Sequence, residues 1–233
     1  MTFLMATALC GGGATAALAE DLSLQLNWKA GGDHAPIYYA LEKGWYEEAG
    51  VDLDVRQGSD SGASAKALAV GQADLAIIDT PTALQFIGND TPIKDVLGDD
   101  LGYALLRDEG LNPYGLAYFA SDDLIAEKHD SIEAMVHVTQ RTFAACLEDP
   151  APCAKALSQA VSMKESDAAR ELEYAARVMP GLDNPLAIGE WDVERVAADY
   201  DLVEASFEIA PFDPKSAVTN EFIDTSIKYP SAN

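Results

Sequence analysis

The segment from Leu24 to Leu84 constrains the fold most, because it alternates strand-like and helix-like patterns three times. Short apolar runs with flanking small residues predict strands, and apolar residues three or four apart predict amphipathic helices. The predicted pairs of strand and helix are Leu22–Asn27 with Ala35–Ala49, Val51–Val55 with Ser61–Val70, and Ala73–Ile78 with a helix from Thr80 to Gly88. This order predicts an α/β lobe built on a parallel sheet.

Small and polar residues fill the turn after each predicted strand. The three turns run from Asn27 to His34, from Gly58 to Ser64 and from Asp79 to Pro81. Parallel strands end at one edge of a sheet, where the helices that follow present free N–H groups. The sequence therefore predicts a small-molecule cleft at this edge.

Residues in and near these turns, together with Tyr114 farther along the chain, are the candidate ligand contacts. They are Asn27, Trp28, His34, Tyr38, Asp60, Ser61, Gly62, Asp79, Thr80 and Tyr114. An aromatic ring with a few placed polar groups is typical of a small-ligand site. Trp28 could stack on a flat ring beside the Asn27 amide, or it could be a core residue.

The other candidates also have structural alternatives. His34 could donate to a ligand or make a hydrogen bond at the helix entry, and Tyr38 could offer its hydroxyl or only pack. Asp60, Ser61 and Gly62 form a turn that could seat an anion or a carbonyl group. Thr80 and Pro81 are predicted as the N-cap and first-turn pair of the helix that ends at Gly88. Asp79 could bind a ring N–H or cap that helix itself.

The charge balance argues against a nucleic-acid partner. The chain has 233 residues, with 15 basic and 39 acidic side chains, a net charge of -24 and a pI near 4.1. A phosphate backbone would be repelled by this charge. With 48% hydrophobic and 23% charged residues, the chain has the composition of a globular protein.

The N-terminal segment predicts a signal peptide over residues 1–19. An apolar stretch is followed by small residues and by Ala17-Leu18-Ala19 before Glu20, as at a signal-peptidase site. Export to the periplasm follows, without stable membrane insertion, because the run is too short for a span. Lipid modification of Cys10 is not expected, because lipoprotein signals have a small residue directly before the cysteine and Leu9 stands there.

Two cysteines remain after this segment, Cys146 and Cys153. Pro150 and Pro152 end one predicted helix and begin the next between them, so both thiols lie at a helical corner. An oxidising compartment would let them form a disulfide, and the alternative is two ordinary half-buried thiols. A metal site is not expected, because no His lies next to the pair.

Several spaced motifs carry a family resemblance. They are Asn27-Trp28, His34, Lys43-Gly44-Trp45-Tyr46, Gly50 to Leu53, and Gly71-Gln72-Ala73-Asp74-Leu75. In this order they resemble the substrate-binding proteins of the nitrate/sulfonate/thiamine-precursor importers, and also the fungal thiamine pyrimidine synthase that shares their fold. The resemblance is strong over residues 22–88 and looser over 112–227.

The resemblance implies a type II periplasmic-binding-protein-like α/β fold. It also implies a monomeric periplasmic component of an ABC importer, which binds a small, heteroaromatic solute without a cofactor and delivers it to a permease and its ATPase. Tyr114 would then face the cleft from the second lobe. The alternative is a degenerate or repurposed exported scaffold with weak or no ligand binding.

The C-terminal half differs from a complete two-lobed protein of this kind. The mature chain is too short for two full lobes, so we expect an internal deletion, and the alternative is a divergent but complete small domain. The expected parts are lobe one at 20–88, a shortened junction at 89–115 and the remainder of a shortened second lobe with C-terminal helices at 116–233. The predicted elements here are a strand at Leu116–Ala120 and helices at Ser131–Leu147, Pro152–Val161, Ser166–Met179, Asp192–Phe207 and Pro214 to about Lys228.

An enzyme is the third and most distant interpretation. The sequence lacks G-x-S-x-G, H-E-x-x-H and G-x-x-x-x-G-K-[ST] motifs. The pyrimidine synthase that the chain resembles uses a Lys and a His four residues apart after its third strand, together with a cysteine-rich motif. Ile78 and Thr82 occupy those two positions here, and no cysteine cluster occurs.

Overall fold

A computed structural model of the protein describes residues 19–89, 93–98, 114–178, 185–207 and 209–230. The predicted signal peptide with Cys10 and most of the predicted junction at 89–115 lie outside the described residues. The last residue of the helix predicted to end at Met179 also lies outside them. Within the described residues, no helix is long and apolar enough to span a membrane.

One five-stranded mixed sheet forms the centre of the molecule. Its strands are β1 (Glu20–Gln25), β2 (Val51–Arg56), β3 (Leu75–Asp79), β4 (Ile93–Gly98) and β5 (Leu116–Ser121), in the spatial order β2-β1-β3-β5-β4. Strands β1, β2 and β3 are parallel, which confirms the parallel sheet predicted for this part of the chain. Strand β5 lies antiparallel between β3 and β4.

Two features of this sheet differ from the sequence prediction. Strand β5, expected to begin the second-lobe remainder, pairs with β3, with Asp79 opposite Leu116. Strand β4 was not predicted, because the six residues from Ile93 to Gly98 mix apolar, charged and glycine residues without a clear period. In the described chain, all named strands therefore belong to a single sheet.

Helices cover both faces of the sheet. They are α1 (Ala35–Lys43), α2 (Trp45–Glu48), α3 (Ser61–Ala69), α4 (Thr80–Gly88), α5 (Asp122–Glu127), α6 (His129–Glu148), α7 (Pro150–Ala160), α8 (Glu165–Val178) and α9 (Val193–Ser206), with 3-10 turns at Gly32–His34 and Pro214–Ala217. Most of the predicted helices are present, with ends shifted by one or two residues.

Three helix predictions need correction. The helix predicted from Ala35 to Ala49 breaks at Gly44, whose φ of +70° ends the first segment. Helix α5 was missed, although Ser121 caps it by accepting from the Leu124 N–H. Beyond the 3-10 turn at Pro214, the predicted C-terminal helix is absent, because polar side chains such as Asp224 bond nearby backbone groups instead.

Alternation along the strands divides the interior into two cores. Leu75 and Ile77 of β3 lie in the first core, with residues of α1, α6, α7 and α8. Ala76 and Ile78 point to the opposite face and lie in the second core, with residues of α3, α4 and α9. A central strand with both faces covered reads as a continuous apolar run, as the LAII sequence does.

Helix α8 packs directly on the turn that precedes α1. A Cβ atom at Gly32 would lie 2.3 Å from the carbonyl carbon of Glu171 and 2.5 Å from the backbone nitrogen of Leu172. The Gly32 N–H donates to Glu171 Oε2 at 3.1 Å. Only glycine allows this approach, so the first turn is covered by α8.

A disulfide joins the adjacent ends of α6 and α7. Cys146 lies in the last turn of α6 and Cys153 in the first turns of α7, with an S–S distance of 2.01 Å. Asp149 caps α7 between them, and Pro150 begins the helix. Both cysteine side chains are buried against the first core.

We expect Gly32→Ala to lower the free energy of unfolding by about 1 to 3 kcal/mol, because the new methyl group must displace the backbone of α8. Gly31→Ala is the matched control, since Gly31 is extended (φ -129°) and its nearest neighbour is the Asp33 carboxylate. Urea denaturation followed by circular dichroism measures both variants. Equal losses in the two variants would contradict the packing of α8 on Gly32.

We expect no free thiol at Cys146 or Cys153 in protein isolated from an oxidising compartment. A crosslink between residues seven apart stabilises the fold by about 2 to 3 kcal/mol in the chain-entropy account. Thiol labelling of the unfolded protein without a reductant tests the bond, and labelling after reduction is the control. Two labelled cysteines in the unreduced sample would contradict it.

Candidate functional site

The three predicted turns meet at the carboxyl edge of the sheet. Strands β1, β2 and β3 run parallel, with Gln25 aligned to Arg56 on one side and to Ala76 on the other. Strand β5 enters at the same edge, because Leu116 pairs with Asp79. The structure therefore brings the candidates of all three turns to one edge.

Hydrogen bonds connect each turn to the next. The Gly58 N–H donates to Trp28 O at 3.0 Å, which joins the first turn to the second. The Asp79 N–H donates to Ser61 Oγ at 3.1 Å, which joins the second turn to the third. The Thr80 N–H and Oγ1 both donate to Gly115 O, at 2.8 and 3.0 Å. Hydrogen bonds thus link the three turns and Gly115 along this edge.

The first turn exposes its tryptophan. Trp28 is 57% exposed, so the alternative of a core tryptophan does not apply. Its backbone carbonyl is held by Gly58, whose Cβ would lie 1.9 Å from Leu26 O and which must therefore be glycine. The Trp28 indole faces solvent on a fixed backbone, so it can stack on the ring of a ligand.

His34 is occupied within its own turn. Its side chain is buried, and Nε2 lies 3.1 Å from Asn27 Oδ1. The other ring nitrogen, Nδ1, lies 3.1 Å from the Gly31 N–H nitrogen and 3.0 Å from the Asp33 carboxylate. These contacts favour the structural role at the helix entry, and they orient the half-buried Asn27 amide.

Tyr38 lies on α1 and packs against the first core. Burial raises the pKa of its hydroxyl, because the phenolate would lose hydration. The ring therefore has the packing role that the sequence left open. A contact between its hydroxyl and a ligand remains a proposal.

The second turn begins α3 with an aspartate cap. Asp60 accepts from the Ala63 N–H at 2.7 Å and from Ser59 Oγ at 3.1 Å. These bonds, with the Ala63 bond the largest cause, lower the pKa of Asp60. Ser61 bonds the third turn as described, and Gly62 follows in the first turn of α3.

The third turn is capped in the same way. Asp79 accepts from the Thr82 N–H at 2.9 Å and from Thr82 Oγ1 at 2.8 Å, which is the capping role considered in the sequence. Thr80 was predicted as the cap, but it is the first helical residue and is buried. Its hydroxyl anchors Gly115 instead.

Tyr114 does not face the edge from a second lobe. It is 4% exposed and packs edge-on against Trp191, with 4.2 Å between ring centroids. Its hydroxyl accepts from the Asp192 N–H at 2.9 Å, and the Arg195 guanidinium lies 3.9 Å from the ring centroid. The expectation is corrected, because the Tyr114 ring is buried in the second core with Trp191 and residues of α9.

Carboxylates of the chain already occupy the helix starts at this edge. Asp60 caps α3, Asp79 caps α4, and Glu171 accepts from the Gly32 N–H before α1. A helix N-terminus attracts an anion through its N–H groups and dipole. With acidic groups in these positions and a net charge of -24, a further anion would be repelled.

Two residues of this region were missed by sequence reasoning. Glu171 lies 139 residues from Gly32, and no local pattern connects the two positions. Phe143 of α6 bounds a void of about 10 Å³ together with His34 and Leu116. Such a void holds about one water molecule.

The described residues contain no cluster suited to a metal ion. No group of three or more His, Cys, Asp or Glu side chains converges in the part of the chain that the structure describes. Acidic residues at the edge cap helices, and His34 bonds its own turn. The geometry can present a ring face and a few polar groups to a small molecule.

Sequence comparison finds one family and one curated relative. Residues 32–98 match the family described as NMT1/THI5 like. A Haemophilus influenzae protein named for thiamine biosynthesis is 29% identical over 77 residues. That match covers 33% of this chain and 24% of the relative, so it spans about a quarter of the relative's length.

Solved structures share the fold over most of the chain. An alkanesulfonate-binding protein from Xanthomonas axonopodis has a TM-score of 0.65 at 11% identity, covering 88% of this chain and 99% of its own. The aliphatic sulphonate binding protein of Escherichia coli has a TM-score of 0.61 at 12% identity, with 87% and 98% covered.

A Candida albicans protein, described as having the generic periplasmic binding protein fold, gives a TM-score of 0.60 at 12% identity, with 92% and 98% covered. These identities are low, so the likeness concerns the fold. The resemblance seen in the sequence is confirmed: residues 32–98 match the NMT1/THI5 like family, and the chain has the α/β fold of the periplasmic binding proteins.

Proposed function

We propose that the protein is the exported solute-binding component of an ABC importer and that it binds a small heteroaromatic molecule without catalysis. The observation that carries the proposal is the exposed Trp28 indole at the sheet edge, where hydrogen bonds link the turns. Small ligands of open α/β sheets bind at this edge. The shared fold of two sulfonate-binding proteins supports the transport class.

The charges of the edge favour a neutral or cationic ring. Asp60, Asp79 and Glu171 hold the helix starts, where nitrate or a sulfonate would need unopposed N–H donors. An exposed indole face attracts flat rings and cations alike. Aminopyrimidines of the kind used in thiamine synthesis fit this chemistry better than oxyanions do.

The transport role implies its partners. The protein would be exported to the periplasm, remain a monomer and deliver its solute to a membrane permease with an ATPase. The match to a relative named for thiamine biosynthesis supports a thiamine precursor as solute. A synthase reaction remains the distant alternative, because Ile78 and Thr82 stand at the positions of the Lys and His that the synthase uses.

A scaffold with little or no ligand binding is the second candidate function. The observation that favours it is that other parts of the chain cover the first turn. Helix α8 contacts Gly32, and Phe143 lines the small void beside His34. All named strands of the described chain form one sheet, so a second sheet opposite the edge is not seen in those residues. A protein that binds solute weakly would then keep the fold and have no transport role.

Trp28→Ala should weaken binding of an aminopyrimidine by ~5- to 150-fold, because loss of ring stacking costs roughly 1 to 3 kcal/mol. The thermal midpoint should change little, since the indole is 57% exposed. Calorimetric titration and thermal melts measure both effects. Val70→Ala is the control, because Val70 is also exposed but lies at the far end of α3. A large loss of stability with unchanged affinity would contradict the stacking role.

Solute should produce little compaction of the molecule. A two-lobed receptor shortens its radius of gyration when the lobes close on ligand, whereas the described strands here form one sheet. Small-angle scattering with and without saturating aminopyrimidine measures the change. Sub-micromolar affinity with clear compaction would show a working second lobe and would overturn the shortened-lobe interpretation.

A further inference from the structure

A second cavity lies behind the first turn, among the helices. Its volume is about 280 Å³. The wall comes from the turn before α1, from the ends of α6 and α7 that the disulfide joins, and from one face of α8. The lining residues include Asp33, Cys146, Ala151, Glu173 and Ala175.

The walls of this cavity cannot easily collapse. On one side, Gly32 fixes α8 against the turn through direct backbone packing and the bond to Glu171. On the other side, the Cys146–Cys153 disulfide and Pro150 fix the corner between α6 and α7. Ala151 and Glu173 of the cavity lining are exposed, so the cavity opens to solvent, and an occupant would remove its apolar wall from water.

The lining is apolar except at two carboxylates. Phe143, Leu147, Leu172 and several alanines supply most of the wall. The charged lining residues are Asp33 and Glu173, both acidic, and the Asp33 side chain is 25% exposed. An acidic group beside an apolar wall matches a molecule with an apolar body and a positive head.

We propose that this cavity, termed the α8 cavity, binds a small organic cation whose apolar body has one or two rings. An engineered cavity of about 150 Å³ takes up benzene, so a volume of about 280 Å³ suits a body of up to two fused rings. The Asp33 carboxylate, one oxygen of which lies 3.0 Å from His34 Nδ1, receives the positive head. The net charge of -24 raises the local concentration of cations near the chain.

The α8 cavity lies next to the proposed transport site but is lined by other residues. It takes Gly32 and Asp33 from the first turn, whereas Trp28, Asp60 and Asp79 do not line it. The proposal therefore goes beyond the transport function and does not depend on it. Failure of either site leaves the other standing.

The test compares three naphthalene compounds of nearly equal shape. Calorimetric titration of the mature chain uses 1-naphthylmethylammonium, neutral 1-naphthalenemethanol and anionic 1-naphthoate. We expect saturable 1:1 binding of the cation, with the neutral compound weaker by about threefold or more and the anion by about tenfold or more. No saturable binding of the cation, or equal binding of the anion, would overturn the proposal.

Two variants locate the binding. Ala175→Phe should fill the cavity and weaken cation binding at least about tenfold, whereas Ala69→Phe, an equal change at an exposed position of α3, should not. Asp33→Asn should reduce the cation's affinity to that of the neutral compound and leave the neutral compound unchanged. A folded Ala175→Phe protein that still binds the cation, or Asp33→Asn with unchanged preference, would overturn the assignment. The Asp33→Asn result decides the matter if Ala175→Phe does not fold.

Discussion

The antiparallel pairing of β5 between β3 and β4 is the constraint on which the rest of the structure depends. It aligns Leu116 with Asp79, and it brings Gly115 within reach of both donors of Thr80. From Leu116 onwards, the chain thus pairs with the sheet that contains β1, β2 and β3. The helices that follow β5 pack on both faces of the same sheet. Strand β5 is therefore buried on both sides, as an interior strand of a covered sheet is.

This pairing of β5 explains the character of the candidate site. Helices α6 to α8 pack over α1 and its preceding turn, so the cover of the carboxyl edge comes from the same chain. Trp28 stays exposed beside that cover, while carboxylates from three separate elements hold the helix starts. The result is an edge that can stack a ring and that disfavours an anion.

Local patterns predicted the strands and most of the helices between Glu20 and Gly88, because each rule there acts over a few residues. The LAII run of β3 and the Asp79-Thr80-Pro81 start of α4 are examples, although the cap moved from Thr80 to Asp79. The misses depend on distant contacts. Pairing of β5 with β3, the contact of Glu171 with Gly32 and the burial of Tyr114 against Trp191 leave no local signal. The absent helix after Pro214 shows polar side chains overriding a helical pattern.

Mass spectrometry of the natively purified protein is the most direct test of the central claim, that the sheet edge binds a neutral or cationic ring. The account predicts a co-purifying heteroaromatic compound without net negative charge, which is lost when the exposed Trp28 ring is removed. A sulfonate or another oxyanion retained equally by both proteins would contradict it.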